Sequence, residues 1–267
     1  MSGSVVDPGA AVSLAEPQTV ARRGVGLFDG LILLLVALAV WQALGVYTQG
    51  IAITPPLGTL AYAGRLILTG SFWGHVAATA VAFLYAFALS AVLGLALGLV
   101  FGLRRFAGDV AEPILAGFYT IPKITLYPVV LLIFGLGVSA KVAFGVMHGL
   151  VPVVLFTLGA IRSMPPILLR TARSLRLSDR DTIRLVIVPA VLPDIVNGLR
   201  VGFSLSLLGV LIGEMFSSQR GLGFLLVNGL AMHNVPMTTA VTMVVIVFAI
   251  LANAGMLRVV RMLGHRG

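Results

Sequence analysis

The stretch from residue 165 to residue 193 reads PPILLRTARSLRLSDRDTIRLVIVPAVLP and is the longest polar interval in an otherwise apolar chain. Its charged residues are Arg170, Arg173, Arg176, Asp179, Arg180, Asp181 and Arg184. Charge of this density is excluded from hydrocarbon, so the stretch lies outside the bilayer. At helical spacing, Leu168, Ala172 and Leu175 form an apolar stripe beside the first three arginines. We therefore predict a short amphipathic helix, at about residues 167–177, that suits a membrane surface or a groove in a partner protein.

A second helix is predicted directly after the first. Ser178 is followed three residues later by Asp181, which resembles a capping box at a helix start. Pro189 lacks a backbone donor, so we expect this second helix to end near it. The chain then returns to the membrane at about residues 191–199.

The composition places most of the chain in a membrane. Of the 267 residues, 59% are hydrophobic and 10% are charged, and the mean hydropathy is +1.08. A soluble domain does not expose so little charge, so we predict an all-α integral membrane protein. The net charge of +9 comes from basic residues in short loops between apolar runs, which is typical of membrane proteins and does not indicate nucleic-acid binding.

Six apolar runs are long enough to span a bilayer, at about residues 27–47, 75–102, 114–137, 142–161, 195–215 and 237–257. They define a membrane domain over 27–258 with a loop over 162–194, a polar tail over 1–26 and a C-terminal tail over 259–267. A cleaved signal peptide is the competing interpretation of the first run, whose length favours an uncleaved span. The mixed segments 48–71 and 216–235 are expected to be interfacial or re-entrant. Gly94, Gly98 and Gly102 recur every four residues, which predicts close helix packing.

An even number of spans puts both termini on the same side as the 162–194 loop. That side holds fourteen arginines, whereas the other side holds only Arg65, Lys141 and Arg220, with Lys123 set aside within a span. Because basic loops remain inside the cell, we predict that both termini and the loop are cytoplasmic.

The loop resembles the signature loop of ABC-importer permeases, which reads Glu-Ala-Ala, three residues, Gly, nine residues, Ile-x-Leu-Pro. The frame falls here on Arg170, Thr171, Ala172, Arg176, Val186, Val188 and Pro189. Arg170 replaces the family glutamate, so an acidic contact with the ATPase at this position does not follow from the resemblance. Arg176 replaces the glycine, and a residue other than glycine is strained in the positive-φ turn that glycine favours. A basic loop attracted to anionic lipid is the competing interpretation of this loop alone.

Other segments extend the resemblance to about residues 57–257. They are FYTIPKITLYPVVLLIFGLGVSAK at 118–141, AIRSMPP at 160–166, VPAVLP at 188–193, GEM at 213–215 and RGLGF at 220–224. Together they resemble the permease subgroup that serves sulfonates, taurine, nitrate or thiamine precursors. The resemblance therefore implies a small, often anionic organic solute, or nitrate.

The resemblance also implies an assembly. A type I importer permease of this kind forms a homodimer in the bacterial inner membrane, with two copies of an ATPase and an extracytoplasmic solute-binding protein. ATP and Mg²⁺ are bound by the ATPase, and this chain has no GxxxxGK[ST] motif, so we predict a transport subunit without a cofactor and not an enzyme. The residues implied for coupling to the ATPase are Ile167, Leu168, Arg170, Thr171, Ala172, Arg173, Leu175 and Arg176.

Pro122, Lys123 and Pro128 lie inside the third predicted span. A cation at mid-membrane costs about 2.5–3.5 kcal/mol, so Lys123 is expected to face protein, water or a carboxylate. Prolines free helix carbonyls, which is tolerated beside a cavity or packed helices. One hypothesis is that these residues line the translocation path and that Lys123 attracts an anionic solute. The other is that Lys123 snorkels to the cytoplasm or pairs with Glu112.

Glu214 lies at the outer end of the fifth predicted span, six residues before Arg220. The two residues form either a gate or solute contact at the outer mouth, or an internal ion pair that fixes the following turn. The four histidines lack metal-ligand spacing and hydrolase motifs are missing, so neither a metal site nor a catalytic site is predicted. The alternative function is a secondary transporter driven by an ion gradient, which inverted repeats and paired intramembrane carboxylates would indicate.

Overall fold

The apolar runs form long helices. The computed structural model describes residues 27–264. In chain order its elements are α1 (Leu27–Tyr47), α2 (Pro56–Ile67), α3 (Gly70–Leu103), α4 (Arg105–Thr120), a 3₁₀ turn (Lys123–Leu126), α5 (Tyr127–Phe134), α6 (Val138–Ser163), α7 (Pro166–Ser174), α8 (Asp179–Asp181), a π-helical turn (Thr182–Ile187), α9 (Val188–Ser217), α10 (Leu222–Ala231) and α11 (Val235–Gly264). Five long apolar helices, α1, α3, α6, α9 and α11, satisfy the requirements for a membrane span.

The ends of the chain differ from the sequence prediction in one respect. The predicted N-terminal tail, residues 1–26, lies outside the described residues, as do residues 265–267. At the other end, α11 continues to Gly264, although the C-terminal tail was predicted to begin at residue 259.

The predicted third span, residues 114–137, is not one straight helix. The pair formed by α4 and the segment Lys123–Phe134 is bent by 90°. The bend lies at Ile121 and Pro122, both of which have extended backbone conformations. Pro122 has no N–H to donate and restricts the residue before it to extended conformations, so the helix ends there. Pro128 instead lies in the first turn of α5, where no N–H donor is needed.

The second loop helix does not end near Pro189, contrary to the prediction. α8, the π-helical turn and α9 form one rod from Asp179 to Ser217. A proline inside a regular α-helix lacks a donor and its ring presses on the carbonyl four residues earlier. Here the π-helical turn lies directly before Pro189, and the N–H of Val188 bonds to the carbonyl of Ile183, five residues earlier. The wider turn accommodates the proline without breaking the rod.

The core lies where α3, α6 and α9 pack together, and glycines allow their backbones to approach. Gly94 and Gly98 of α3 face Val153 and Thr157 of α6. A Cβ added at Gly98 would lie 2.5 Å from the Cβ of Thr157 and 3.0 Å from the carbonyl oxygen of Val154. No side chain fits in that space, so the four-residue glycine spacing does mark a close helix contact.

Shorter helices surround this bundle. α2 has 12 residues and α10 has 10, both too short to cross a bilayer, in keeping with the interfacial or re-entrant segments predicted at 48–71 and 216–235. α1 is mostly exposed along its length and meets α2, where the indole N–H of Trp41 donates a 3.0 Å hydrogen bond to the carbonyl of Thr54.

The glycine contact predicts a stability difference between two matched substitutions in α3. Gly98→Ala should lower the free energy of unfolding by about 1–3 kcal/mol, because the new methyl overlaps Thr157. Gly74→Ala, where no atom lies within 4 Å of the added Cβ, should be neutral or stabilising because alanine favours the helix. Thermal unfolding in detergent, followed by circular dichroism, measures both. Equal melting temperatures would contradict this account of the α3–α6 contact.

Candidate functional site

The polar residues gather at the two ends of the bundle. We define the loop end as the end where α6 continues into α7 and α8. The far end is the opposite one, where α5 turns into α6 and α9 turns into α10. The 3₁₀ turn at Lys123 lies in the chain between these ends.

At the loop end, α7 terminates in a Schellman motif with an arginine at the position that usually holds glycine. Arg176 has a φ of +52°, its N–H bonds to the carbonyl of Arg173 at 2.9 Å, and the N–H of Leu177 bonds to the carbonyl of Ala172 at 3.1 Å. These are the two hydrogen bonds of the motif. The turn implied by the family frame at position 176 is therefore present, although an arginine there carries backbone strain that glycine avoids.

The start of α8 was predicted correctly from Ser178 and Asp181. The Ser178 hydroxyl accepts a 3.2 Å hydrogen bond from the N–H of Asp181 and donates a 2.7 Å hydrogen bond to its carboxylate. This capping fixes the angle between α7 and the rod that continues into α9.

The faces of α7 differ from the predicted stripe of Leu168, Ala172 and Leu175. Ala172 is buried, and Leu168 packs against a cluster that includes Ile187. Leu175, however, is 66% exposed, because it is the capping residue at which the chain leaves the helix. The exposed side of α7 instead carries Ile167, Thr171 and Leu175, with the side chains of Arg170, Arg173 and Arg176 around them.

An arginine clamp lies at the base of the loop. Arg162, at the end of α6, forms 2.7 Å ion pairs with Asp109 and Glu112 of α4 and donates a hydrogen bond to the carbonyl of Arg105. The predicted alternative in which Glu112 pairs with Lys123 is therefore wrong. Glu112 faces the loop end, and its carboxylate pairs with Arg162.

Lys123 is buried beside the broken span. Its ammonium donates a 3.2 Å hydrogen bond to the carbonyl of Tyr119 and lies 4.9 Å from the Tyr119 ring and 5.7 Å from the Phe118 ring. Carbonyls and aromatic faces stabilise a buried cation without neutralising it. Within residues 27–264, Lys123 forms no ion pair, so this region retains a net positive charge.

The segment after Lys123 is attached to α9. The Tyr127 hydroxyl donates a 2.7 Å hydrogen bond to the carbonyl of Gly213 and also contacts the hydroxyl of Ser217. Its ring packs edge-on against Phe144 of α6, with the ring centres 4.9 Å apart. The position of Lys123 is thus fixed relative to the central bundle through Tyr127.

At the far end, a fully buried carboxylate joins four helices. Glu214 of α9 accepts hydrogen bonds from the Thr79 hydroxyl of α3, at 2.8 and 3.0 Å, and from the N–H of Gly223 in α10, at 3.0 Å. Lys141 of α6 lies 3.9 Å from the carboxylate. Thr79 also accepts a 2.8 Å hydrogen bond from the N–H of Leu222. We call these residues the Glu214 network.

The ionic partner of Glu214 is Lys141 and not Arg220, so the interpretation in which Glu214 and Arg220 form an internal ion pair is wrong. Arg220 contributes its backbone, whose carbonyl accepts a 3.2 Å hydrogen bond from Lys141, while its side chain is exposed. The next residue, Gly221, has a φ of +127° and lies so close to Glu214 that an added Cβ would overlap the carboxylate. The sequence RGLGF therefore supplies the backbone that surrounds Glu214.

No metal site accompanies these networks. Among the described residues, no three His, Asp or Glu side chains gather closely enough to hold a metal ion. What the described chain offers is a buried ionic network at one end, a buried lysine beside a broken span, and a basic amphipathic helix at the other end.

These features define a multi-pass α-helical membrane protein with one exposed helix in a loop. Residues 90–266 match the model of the family described as binding-protein-dependent transport system inner membrane component. This range is more than half of the chain, so the chain belongs to that family. It is accordingly an inner-membrane permease subunit of an ABC importer and not an enzyme, and the ATPase is a separate subunit.

Individual relatives agree with this assignment. The chain is 29% identical over 235 residues to the putative aliphatic sulfonates transport permease protein SsuC of Bacillus subtilis, covering 87% of this chain and 84% of that protein. It is 30% identical over 230 residues to the riboflavin transport system permease protein RibX of Chloroflexus aurantiacus, covering 84% and 85%. The resemblance noted in the sequence to the sulfonate subgroup is thus confirmed.

A solved structure supports the fold. The inward-facing MetNI methionine ABC transporter contains a chain that superposes with a TM-score of 0.61, at 21% identity, over 74% of this chain and 96% of that one. The predicted fold class, an all-α membrane protein of the type I importer kind, is confirmed.

The Glu214 network predicts strong coupling between Glu214 and Lys141. Glu214→Gln should lower the free energy of unfolding by about 3 kcal/mol, because Lys141 then remains buried without a counter-charge. Lys141→Met should be similarly costly, whereas the double variant should lose much less than the sum of the two. Thermal unfolding in detergent measures all three.

A partly exposed ion pair in the same protein provides the control. Glu112→Gln, which removes one partner of Arg162, should cost no more than about 1 kcal/mol because water screens that pair. Additive losses at Glu214 and Lys141 would show that the two charges do not stabilise each other.

Proposed function

We propose that this chain, as a homodimer, forms the translocation path of an ATP-driven importer for a small organic anion, and that α7 transmits movement from the ATPase. Two ATPase subunits hold ATP and Mg²⁺ at the loop end, and an extracytoplasmic solute-binding protein delivers solute at the far end. The observation that carries the proposal is the outer face of α7, where Ile167 and Leu175 are 63% and 66% exposed among arginines. An apolar centre with a charged rim is typical of a protein interface.

The distribution of charge supports a cytoplasmic loop end. The described basic residues of that end lie on α4, on α6, throughout the loop and near the end of α11, whereas the far end holds only Arg65, Lys141 and Arg220. Arginine-rich segments stay on the cytoplasmic side of bacterial membranes. The ATPase, which uses cytoplasmic ATP, thus meets α7 on the same side, and both termini lie in the cytoplasm.

The inner face of α7 supports its role in transmission. Ala172 is buried, and Leu168 packs with Ile187 and with residues of α6 and α9. The capping of Ser178 and the Schellman turn at Arg176 fix α7 relative to the rod that becomes α9. When the ATPase dimer closes, displacement of α7 moves α6 and α9 as well. Nucleotide biases the permease only if α7 makes different contacts in the two states.

The charge of Lys123 supports an anionic solute. It is buried beside a broken span, next to Pro122 and before Pro128, and has no ionic partner within residues 27–264. Freed carbonyls and an unneutralised cation are tolerated in a membrane where they border a water-filled path or pack against other helices, and we assign Lys123 to the path. SsuC is named for aliphatic sulfonates and RibX for riboflavin, so relatives of similar identity differ in solute. Among these possible solutes, the positive charge of Lys123 favours an organic anion.

Substitutions on the exposed face of α7 test the coupling. The double variant Ile167→Asp/Leu175→Asp should reduce co-purification of the ATPase about tenfold or more, because a few central residues contribute most of the binding energy of an interface, about 2 kcal/mol or more each. The tagged permease is expressed with its ATPase, and the ATPase that remains bound is quantified after purification. The fold should be unaffected, since both side chains are largely exposed.

A matched variant at the far end serves as the control. Leu57, in α2, is 79% exposed, so Leu57→Asp places one of the same negative charges on an apolar residue that is at least as accessible. ATPase attachment should be unchanged. If instead Leu57→Asp releases the ATPase and the α7 variant retains it, both the proposed docking helix and the proposed orientation are wrong.

Lys123 is tested by transport. In proteoliposomes that hold the complete transporter, Lys123→Met should lower uptake of a labelled alkanesulfonate about tenfold or more, since a charge-assisted contact is lost. Lys123→Arg should retain most of the uptake because the charge remains. The melting temperature of each variant shows whether it is folded. Wild-type uptake by a folded Lys123→Met protein would remove Lys123 from the path.

A further inference from the structure

A pocket of about 540 Å³, lined by both apolar and polar residues, lies at the far end, beside the Glu214 network. It is formed where the turn between α5 and α6 faces the turn between α9 and α10. Its lining includes Leu136, Val138, Lys141, Phe216, Gln219 and Arg220. One of the two interpretations of Arg220 from the sequence was an ion pair with Glu214. Because Glu214 pairs with Lys141 instead, the guanidinium of Arg220 is left for the other interpretation, a contact with the solute at the outer mouth.

The side chains of Gln219 and Arg220 are available to bind a ligand. Both are exposed, and neither side chain forms a hydrogen bond or an ion pair within residues 27–264, whereas the backbone of Arg220 is held by Ser218 and Lys141. The loop is therefore fixed while the guanidinium and the amide remain free. A rigid backbone that presents unpaired donors loses little entropy when it binds an acceptor.

The electrostatic surroundings favour an anion. Between residues 48–69, 135–141 and 214–234, which form the far end, the only acidic residue is Glu214. Glu214 is fully buried and its charge is balanced by Lys141. No exposed carboxylate therefore competes for Arg220 within these segments. A site with excess positive charge also accelerates the arrival of anions from solution.

The apolar part of the lining favours an organic anion over an inorganic one. Leu136 is 81% exposed and Phe216 is 60% exposed, and both border the pocket that contains Arg220. A guanidinium binds an oxyanion with two parallel hydrogen bonds, while adjacent apolar side chains cover a hydrocarbon tail. A sulfonate with a short alkyl chain has both parts.

We propose that this pocket is the first binding site on the permease for the anionic head group of the solute, and that Arg220 and Gln219 hold that head group. The inference rests on the proposed import of an organic anion and assigns its first contact at the far end. Lys123 would then act at a later point, inside the bundle. Arg220 would determine specificity, because a neutral solute has no anionic head group to pair with its guanidinium.

Uptake of labelled ethanesulfonate by proteoliposomes containing the complete transporter tests the proposal. Arg220→Gln should raise the KM about tenfold, because hydrogen bonds to a charged group are lost, with little change in the melting temperature. Gln219→Glu, which adds a negative charge to the same pocket without touching the Glu214 network, should raise the KM as well. If Arg220→Gln fails to fold, Gln219→Glu and Arg220→Lys decide the question.

The matched control is Arg65→Gln in α2. Arg65 is the other exposed arginine of the far end, and its guanidinium lies 5.8 Å from the centre of the Tyr62 ring, outside the pocket lining. Its loss should leave the KM unchanged. An equal effect at Arg65 and Arg220 would overturn the proposal, since it would indicate general attraction by surface charge and not a site.

Two further outcomes separate this proposal from others. If Lys123→Met abolishes uptake while both pocket variants behave as wild type, the proposed function stands and the pocket proposal falls. If the wild-type transporter takes up no organic anion, both fall.

The same head-group chemistry occurs in phospholipids, so the assay is repeated with phosphatidylglycerol in place of neutral lipid. A rise in the KM of the wild-type protein, absent in Arg220→Gln, would assign the pocket to lipid.

Discussion

The burial of the Glu214 carboxylate constrains the far end of the molecule more than any other interaction. A carboxylate without water requires both a counter-charge and hydrogen-bond donors, and each comes from a different helix: Lys141 from α6, Thr79 from α3 and the Gly223 N–H from α10. Because the donors include backbone N–H groups, the segment after α9 must fold over the carboxylate. Gly221 is required there, since its φ is positive and a side chain would overlap Glu214.

The two ends of the bundle are consequently held in different ways. At the far end the helices are joined by buried charges that water does not screen. At the loop end, Arg162 clamps α4 through carboxylates that are about half exposed, which is a weaker tie. Between them, α3, α6 and α9 are in direct backbone contact through glycines such as Gly98. A displacement applied to α7 therefore acts on the less constrained end of a rigid central bundle.

Features that depend on local sequence were predictable, and features that depend on the angle between distant segments were not. Hydropathy located the long spans, and the glycine position of the family frame located the left-handed turn now occupied by Arg176. The pairing of Glu214 with Lys141 was not predicted because Lys141 is far away in sequence, whereas Arg220 lies only six residues after Glu214. The exposure of Leu175 was missed because helical spacing was extended one residue past the end of α7, where the chain changes direction.

The state of Glu214 also bears on the source of energy. A carrier driven by an ion gradient needs an intramembrane carboxylate that exchanges partners as ions bind and leave. Glu214 instead accepts hydrogen bonds from Thr79 and Gly223 while it pairs with Lys141, and loss of Lys141 would leave its charge unbalanced inside the protein. The position of Glu214 therefore favours a structural role, and not the role of a carboxylate that exchanges partners during transport. Under the proposed coupling, the work of transport comes from the ATPase, and the exposed face of α7 is the apolar surface that would receive it.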